Sequence, residues 1–87
     1  MRYYELAPVH DARASFYGKA LVFDLGNGIS ELHSYGTPVA RIYKATDSVE
    51  LLDAWSQSAT TLRHVKEFLR QHGFNAETRA QIERDYL

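Results

Sequence analysis

The strongest constraint in this chain is a dipeptide. Asn27-Gly28 separates two runs of alternating hydrophobicity, Lys19 to Leu25 (KALVFDL) and Ile29 to Tyr35 (ISELHSY). Both residues tolerate the positive φ that a type I′ turn needs at its two central positions, and such turns match the twist of paired strands. A hairpin is therefore expected, and the turn sets its register. Gly26 should oppose Ile29, Phe23 should oppose Leu32 and Leu21 should oppose Ser34. Leu21, Phe23 and Leu25 would then share the core face. The other face would pair Val22 with His33, Ala20 with Tyr35 and Asp24 with Glu31. The last are like charges, which need good solvation or a nearby cation.

The rest of the chain extends this hairpin. Gly36-Thr37-Pro38 reads as a turn before a third strand from Val39 to Lys44. A three-residue loop keeps Ala40 and Ile42 on the core face, with Arg41 beside His33 and Tyr43 beside Glu31. A two-residue loop would turn Arg41 inward. Arg2 to Leu6 can form a short strand that Pro8 ends, and His10 to Ser15 reads as loop. Val49 to Trp55 reads as a fourth strand, with a short helical turn as the competing reading. The clearest helix runs from Thr60 to His72, capped by Ser58 or Thr60. Its apolar stripe is Leu62, Val65, Phe68 and Leu69. Gly73 fits the left-handed C′ position and Phe74 the C″ position of a Schellman ending. Thr78-Arg79-Ala80-Gln81 is a capping-box pattern that opens a second helix, docked by Ile82 and Leu87. The expected fold is a single α+β domain over residues 1–87: an antiparallel β-meander of three to four strands packed against one main C-terminal helix, plus a short terminal helix.

Composition narrows the function classes. A chain of 87 residues is one domain. Its net charge of −1 is neither the basic footprint of a general nucleic-acid binder nor the acidic excess of a phosphate mimic. The absence of cysteine excludes disulfide scaffolds and thiolate zinc sites. Six Tyr, four Phe and one Trp can build a small core from rings, and are also residue types that anchor protein interfaces. Met1 to Leu6 lacks the charged start and apolar run of a signal peptide, and no stretch is long and apolar enough to span a bilayer. A cytosolic protein without membrane contact is expected.

No constellation points to catalysis. His10, His33, His64 and His72 contain no H-x-x-x-H or H-E-x-x-H spacing, so neither metal nor cofactor is expected. There is no G-x-S-x-G elbow, and Gly26-Asn27-Gly28 is accounted for by the hairpin. Two surfaces remain as candidates for partner binding. Arg63, Lys66 and Arg70 share a helix face, flanked by His64 and Gln71, with Glu67 on the wet side as a partner for Arg63. That face could grip phosphates of a nucleic acid or an acidic protein. The outward sheet face would carry Val22, His33, Tyr35, Val39, Arg41 and Tyr43. The N-terminal segment with Tyr3 and Tyr4 could cover it, a protein partner could dock there, or bases could stack on its rings. A meander also leaves edge strands through which a homodimer could form.

Three runs carry a resemblance. They are Ser15-Phe16-Tyr17-Gly18-Lys19-Ala20, then Ser34-Tyr35-Gly36-Thr37-Pro38-Val39-Ala40, then Ser58 to Leu69 with its T-T-x-R-H-x-x-x-F-L core. Gly73-Phe74 and Ala76-Glu77-Thr78 fit the same pattern. Over Ser15 to Tyr86 the chain resembles small uncharacterised proteins of phages and mobile elements in Gram-positive bacteria. It departs from them in Lys44 to Gln57, which looks longer and more acidic. The resemblance carries no catalytic residue. It implies a non-enzymatic accessory protein that binds a host protein in the host cytosol, with inhibition of a CRISPR-type defence nuclease as one such role.

Overall fold

Among the residues that the computed structural model describes, 2–87, five strands and two helices form in chain order. The strands are β1 (Arg2–Glu5), β2 (Ala20–Gly26), β3 (Ile29–Ser34), β4 (Thr37–Tyr43) and β5 (Ser48–Leu51). The helices are α1 (Ala59–Gln71) and α2 (Arg79–Tyr86). The strands make one antiparallel sheet in the order β1-β2-β3-β4-β5. The α+β meander is as expected, with one strand more. Arg2–Glu5 does not cover the sheet. It pairs along β2 as an edge strand, with Tyr3 opposite Phe23 and Tyr4 opposite Val22.

The β2–β3 register differs from the expected one by a residue. Gly26 does oppose Ile29 across Asn27-Gly28, but the ladder shifts between Asp24 and Gly26. Asp24 then opposes Ser30, Phe23 opposes Glu31 and Val22 opposes Leu32. Leu25 is the extra residue of a β-bulge. Gly26 supplies the left-handed φ of +84° there, and the Asp24 carboxylate accepts a hydrogen bond from the Gly26 N–H at 2.9 Å. One inserted residue reverses the faces of everything before it. Ala20 and Val22 are buried in the core, whereas Leu21 and Phe23 point outward and are half-buried.

A second bulge corrects an apparent error downstream. β3 and β4 are joined by a two-residue turn at Tyr35-Gly36, both with positive φ, and not by the three-residue loop expected from Gly36-Thr37-Pro38. That turn alone would point Arg41 inward. The register shifts between Leu32 and His33, with Val39 as the extra residue, and Arg41 returns to the outer face opposite Glu31. Tyr43 opposes Ile29, not Glu31. Val39 is buried.

β5 covers the first part of the segment expected as a fourth strand. The chain then turns, with the Trp55 N–H donating to the Leu52 carbonyl at 3.0 Å, and Trp55 enters the core. α1 begins at Ser58, whose hydroxyl accepts from the Thr61 N–H at 3.1 Å. It ends in the expected Schellman geometry: Phe74 N–H to Leu69 carbonyl, Gly73 N–H to Arg70 carbonyl, and φ +86° at Gly73. α2 is capped by Thr78 and docked by buried Ile82. Its second anchor is Tyr86, which packs edge-on to Phe74. Leu87 is exposed. The core lies between the helices and one sheet face, around Leu6, Phe16, Val22, Leu32, Ile42 and Phe68.

Candidate functional site

The second sheet face is open, since the described helices pack on the other one. Its chemistry follows from the shifted register. Along one half runs a stack of rings: Tyr3 on Phe23 with centroids 5.3 Å apart, and Phe23 on His33 at 4.3 Å. Tyr3 is 65% exposed, so the stack ends in solvent. Along the other half runs a charged ladder. His33 Nε2 lies 2.7 Å from one Glu31 oxygen, and the Arg41 Nε–H donates to the other. The Arg41 Nη1 group reaches Glu50 at 3.4 Å, and the Tyr43 hydroxyl donates to the same Glu50 oxygen. Burial pushes the Glu31 carboxyl up, but the hydrogen bonds from Arg41 and His33 outweigh it and hold the group below its usual value. Glu31 is therefore an anionic hub, 8% exposed, that fixes His33 and Arg41 in place.

The basic helix face lies elsewhere. Arg63, Lys66 and Arg70 line a groove of about 440 Å³ with His10, Asp11, Glu67 and Glu77. The groove is mixed in charge. Arg63 is drawn to Asp11 at 3.0 Å, whereas Lys66 and Arg70 have no ion-pair partner among the described residues. Glu67 is not on the wet side and does not pair with Arg63. It is 2% exposed and accepts from the His10 backbone N–H at 2.7 Å, lies 2.9 Å from His10 Nδ1, and accepts from Gln71 at 2.7 Å. Gln71 also donates to the Ala7 carbonyl. Arg63, Glu67 and Gln71 follow i, i+4, i+8 spacing, so they form one stripe. That stripe grips Asp11, His10 and Ala7 in turn and straps the N-terminal segment onto α1. Burial pushes the Glu67 carboxyl up, and the bonds from Gln71, His10 and the backbone N–H groups of His10 and Val9 outweigh it and lower it.

His64 does not flank the basic face either. It is fully buried toward the sheet, with Nδ1 2.8 Å from the Ser34 hydroxyl. Ser34 contacts Thr61, and the Ser58 hydroxyl donates to Thr61, each at 3.1 Å. The ring meets Phe16 edge-on at 4.6 Å, and Tyr35 lies at 5.8 Å. Burial pushes the imidazole down to about 4, so it is neutral at pH 7. Its Nε2 is the one buried side-chain nitrogen or oxygen without a hydrogen-bond partner among the described residues.

The residues singled out from the sequence thus fall into three places. His33, Arg41 and Tyr43 share the open sheet face with Glu31, as expected; Tyr3 reaches it from the edge strand, and Phe23, expected in the core, and Glu50 join them. Arg63, Lys66 and Arg70 line the groove. Tyr35 sits at the β3–β4 turn, over His64, and Val22 and Val39 belong to the core. No group of three or more His, Cys, Asp or Glu among the described residues is arranged to hold a metal ion. No described helix is long and apolar enough to cross a membrane.

Comparison with known proteins places the chain in a family. The model of a family of unknown function, DUF8033, matches residues 4–84, and the chain belongs to that family. No curated protein and no solved structure matches it.

Proposed function

We propose that this DUF8033 family member is a non-enzymatic protein-binding module and that the open sheet face is its docking surface. The observation that carries the reading is the pairing on that face of a partly exposed aromatic stack, Tyr3–Phe23–His33, with a pre-ordered ladder, Glu31–Arg41–Glu50–Tyr43. Aromatic residues and Arg are the types that dominate binding energy at protein interfaces. A ladder already fixed by hydrogen bonds loses little conformational freedom on association. The fitting partner is a protein that offers an apolar patch to Tyr3 and Phe23 and polar groups to the rim at Arg41 and Glu50. The resemblance noted in the sequence supplies the context: a chain carried by a phage or mobile element of a Gram-positive bacterium, binding a host protein and inhibiting a host defence nuclease of the CRISPR type. The groove at Lys66 and Arg70 suits a nucleic acid less well, because Asp11, Glu67 and Glu77 line it too.

The test is affinity capture from host lysate with and without nuclease, at two salt concentrations, using the wild type and two double variants. A stoichiometric protein should survive nuclease and added salt, be lost with Tyr3→Ala/Arg41→Ala and be kept with Lys66→Ala/Arg70→Ala. Recovery of nucleic acid that added salt removes, or capture that fails only with Lys66→Ala/Arg70→Ala, would refute the reading. Capture of a second copy of this chain through Tyr3 and Arg41 would replace the host partner with a homodimer.

A further inference from the structure

A small cavity of about 170 Å³ lies on the opposite side of the sheet from the open face, between the β3–β4 turn and the first turns of α1. Phe16, Tyr17 and Tyr35 give it aromatic walls, Arg13 and Lys19 stand at its rim, and Ser15, Thr60 and His64 complete it. Arg13 and Lys19 are exposed and His64 is fully buried, so the cavity has charge at its mouth and a neutral ring at its floor. Thr60 is in the first turn of α1, where the helix dipole favours negative charge.

A chain of hydroxyls stands behind His64, and its polarity sets what that ring offers. The Ser58 hydroxyl donates to Thr61. In the order where each hydroxyl accepts once and donates once, Thr61 passes its proton to Ser34 and Ser34 passes its own to His64 Nδ1. With Nδ1 an acceptor, the neutral imidazole carries its proton on Nε2. That Nε2–H is the donor left without a partner. A buried donor left unpaired costs about 1–3 kcal/mol, and such orphans in a folded protein call for an explanation. Nε2 itself has under 1 Å² of accessible surface, so a ligand acceptor satisfies it only as the cavity floor gives way.

We propose that this cavity is a carboxylate-binding site, with His64 Nε2–H as the floor donor and Arg13 and Lys19 as the charged rim. A carboxylate on an apolar or aromatic body fits its parts: one oxygen for a single neutral N–H, charge for the two rim cations, and rings for the Phe16 and Tyr35 walls. A phosphate dianion would need more donors than one N–H at the floor. The volume is roughly that of a handful of waters, at about 30 Å³ each in the liquid. It admits a small organic acid or the last residue of a peptide chain. The site is independent of the open sheet face and stands whether or not a protein docks there.

The experiment follows the His64 ring by long-range proton–nitrogen NMR at pH 7 on the ¹⁵N-labelled chain, titrated with acetate, benzoate and the neutral control benzamide. The free protein should show the Nε2–H tautomer. Benzoate should shift the His64 nitrogens saturably and benzamide should not. Arg13→Gln/Lys19→Gln, two exposed substitutions that leave the remaining spectrum in place, should weaken benzoate at least tenfold. Two peptides ending in phenylalanine, one with a free terminus and one amidated, separate the ligand sources. Tighter binding of the free-terminus peptide than of benzoate, lost on amidation, assigns a protein chain end, and equal or weaker binding assigns a small acid. An Nδ1–H tautomer, no response to any carboxylate, or unchanged affinity in the double variant would each overturn the proposal.

Discussion

The two faces of the sheet come from the same five strands and carry opposite chemistry. On the helix side, His64 meets a hydroxyl and is buried among rings; on the open side, His33 meets a carboxylate and remains partly in water. Burial without a counter-charge favours the neutral form of His64. The inner face can therefore hold an imidazole only as a neutral hydrogen-bonding group within the core. The outer face can afford an ion network, because solvent lowers the cost of assembling it. Packing area and satisfied hydroxyls concentrate beneath the helices, and the ion ladder with the Tyr3–Phe23–His33 stack lies on the open face.

The largest expected effect separates the faces by packing. Phe68 is fully buried and Phe23 half-buried. Phe68→Ala should cost about 3–5 kcal/mol of unfolding free energy, and Phe23→Ala under about 2 kcal/mol, since part of its ring is already wet. Urea unfolding measures both, and equal losses would break the comparison.

The next effect is a pH dependence from His64. An unfolded histidine titrates near 6.5, and the folded one is held down at about 4. The unfolded chain therefore binds the extra proton first. The stability is complete above pH 6.5 and falls away as the pH drops toward 4, by about 3 kcal/mol from this group alone. Asp11 offsets some of the burial effect, and Arg13 adds to it. His64→Leu should flatten the curve in this window. An unchanged slope would show that other groups carry it.

Glu67 gives a smaller and more acidic effect. Its carboxyl is lowered on folding, so its contribution is present above the unfolded value near 4.3 and is lost as pH falls through the folded value. Glu67→Gln should cost about 1–3 kcal/mol, because it weakens charge-assisted bonds that hold the strap. It should also speed proteolysis within residues 7–13. Arg63→Ala, at the exposed end of the same stripe, should cost under about 1 kcal/mol. If both substitutions were equally mild, the strap would not depend on its buried anchor.

Local signals in the sequence were strong where one residue type answers one geometric need. Asn27-Gly28 gave the turn, Ser58 and Thr78 the caps, and Gly73-Phe74 the helix ending, and each lies where its chemistry indicated. Two inserted residues, Leu25 and Val39, were not legible. A bulge leaves the alternating pattern intact on either side, and Leu21-Phe23-Leu25 is as apolar as Ala20-Val22. Either set could face the core. The decision falls to packing, because small Ala20 and Val22 fit beneath the helix layer while Phe23 finds Tyr3 and His33 outside. The Glu31 hub is half legible: alternation puts Glu31, His33 and Arg41 on one face, but the direct Glu31–Arg41 pairing follows from the Val39 bulge. Glu67 was misplaced because the partner that buries it is His10, through its backbone N–H and its ring, 57 residues away, and no local pattern records that contact.

The face assignment is most directly tested by thiol accessibility, since the chain has no cysteine of its own. Single variants Val22→Cys and Phe23→Cys would be treated with a thiol reagent under native conditions. The expected result is rapid modification at position 23 and, at position 22, modification no faster than global unfolding. Faster reaction at position 22 would mean that β2 lacks the bulge, that Phe23 belongs to the core, and that the open aromatic face does not exist.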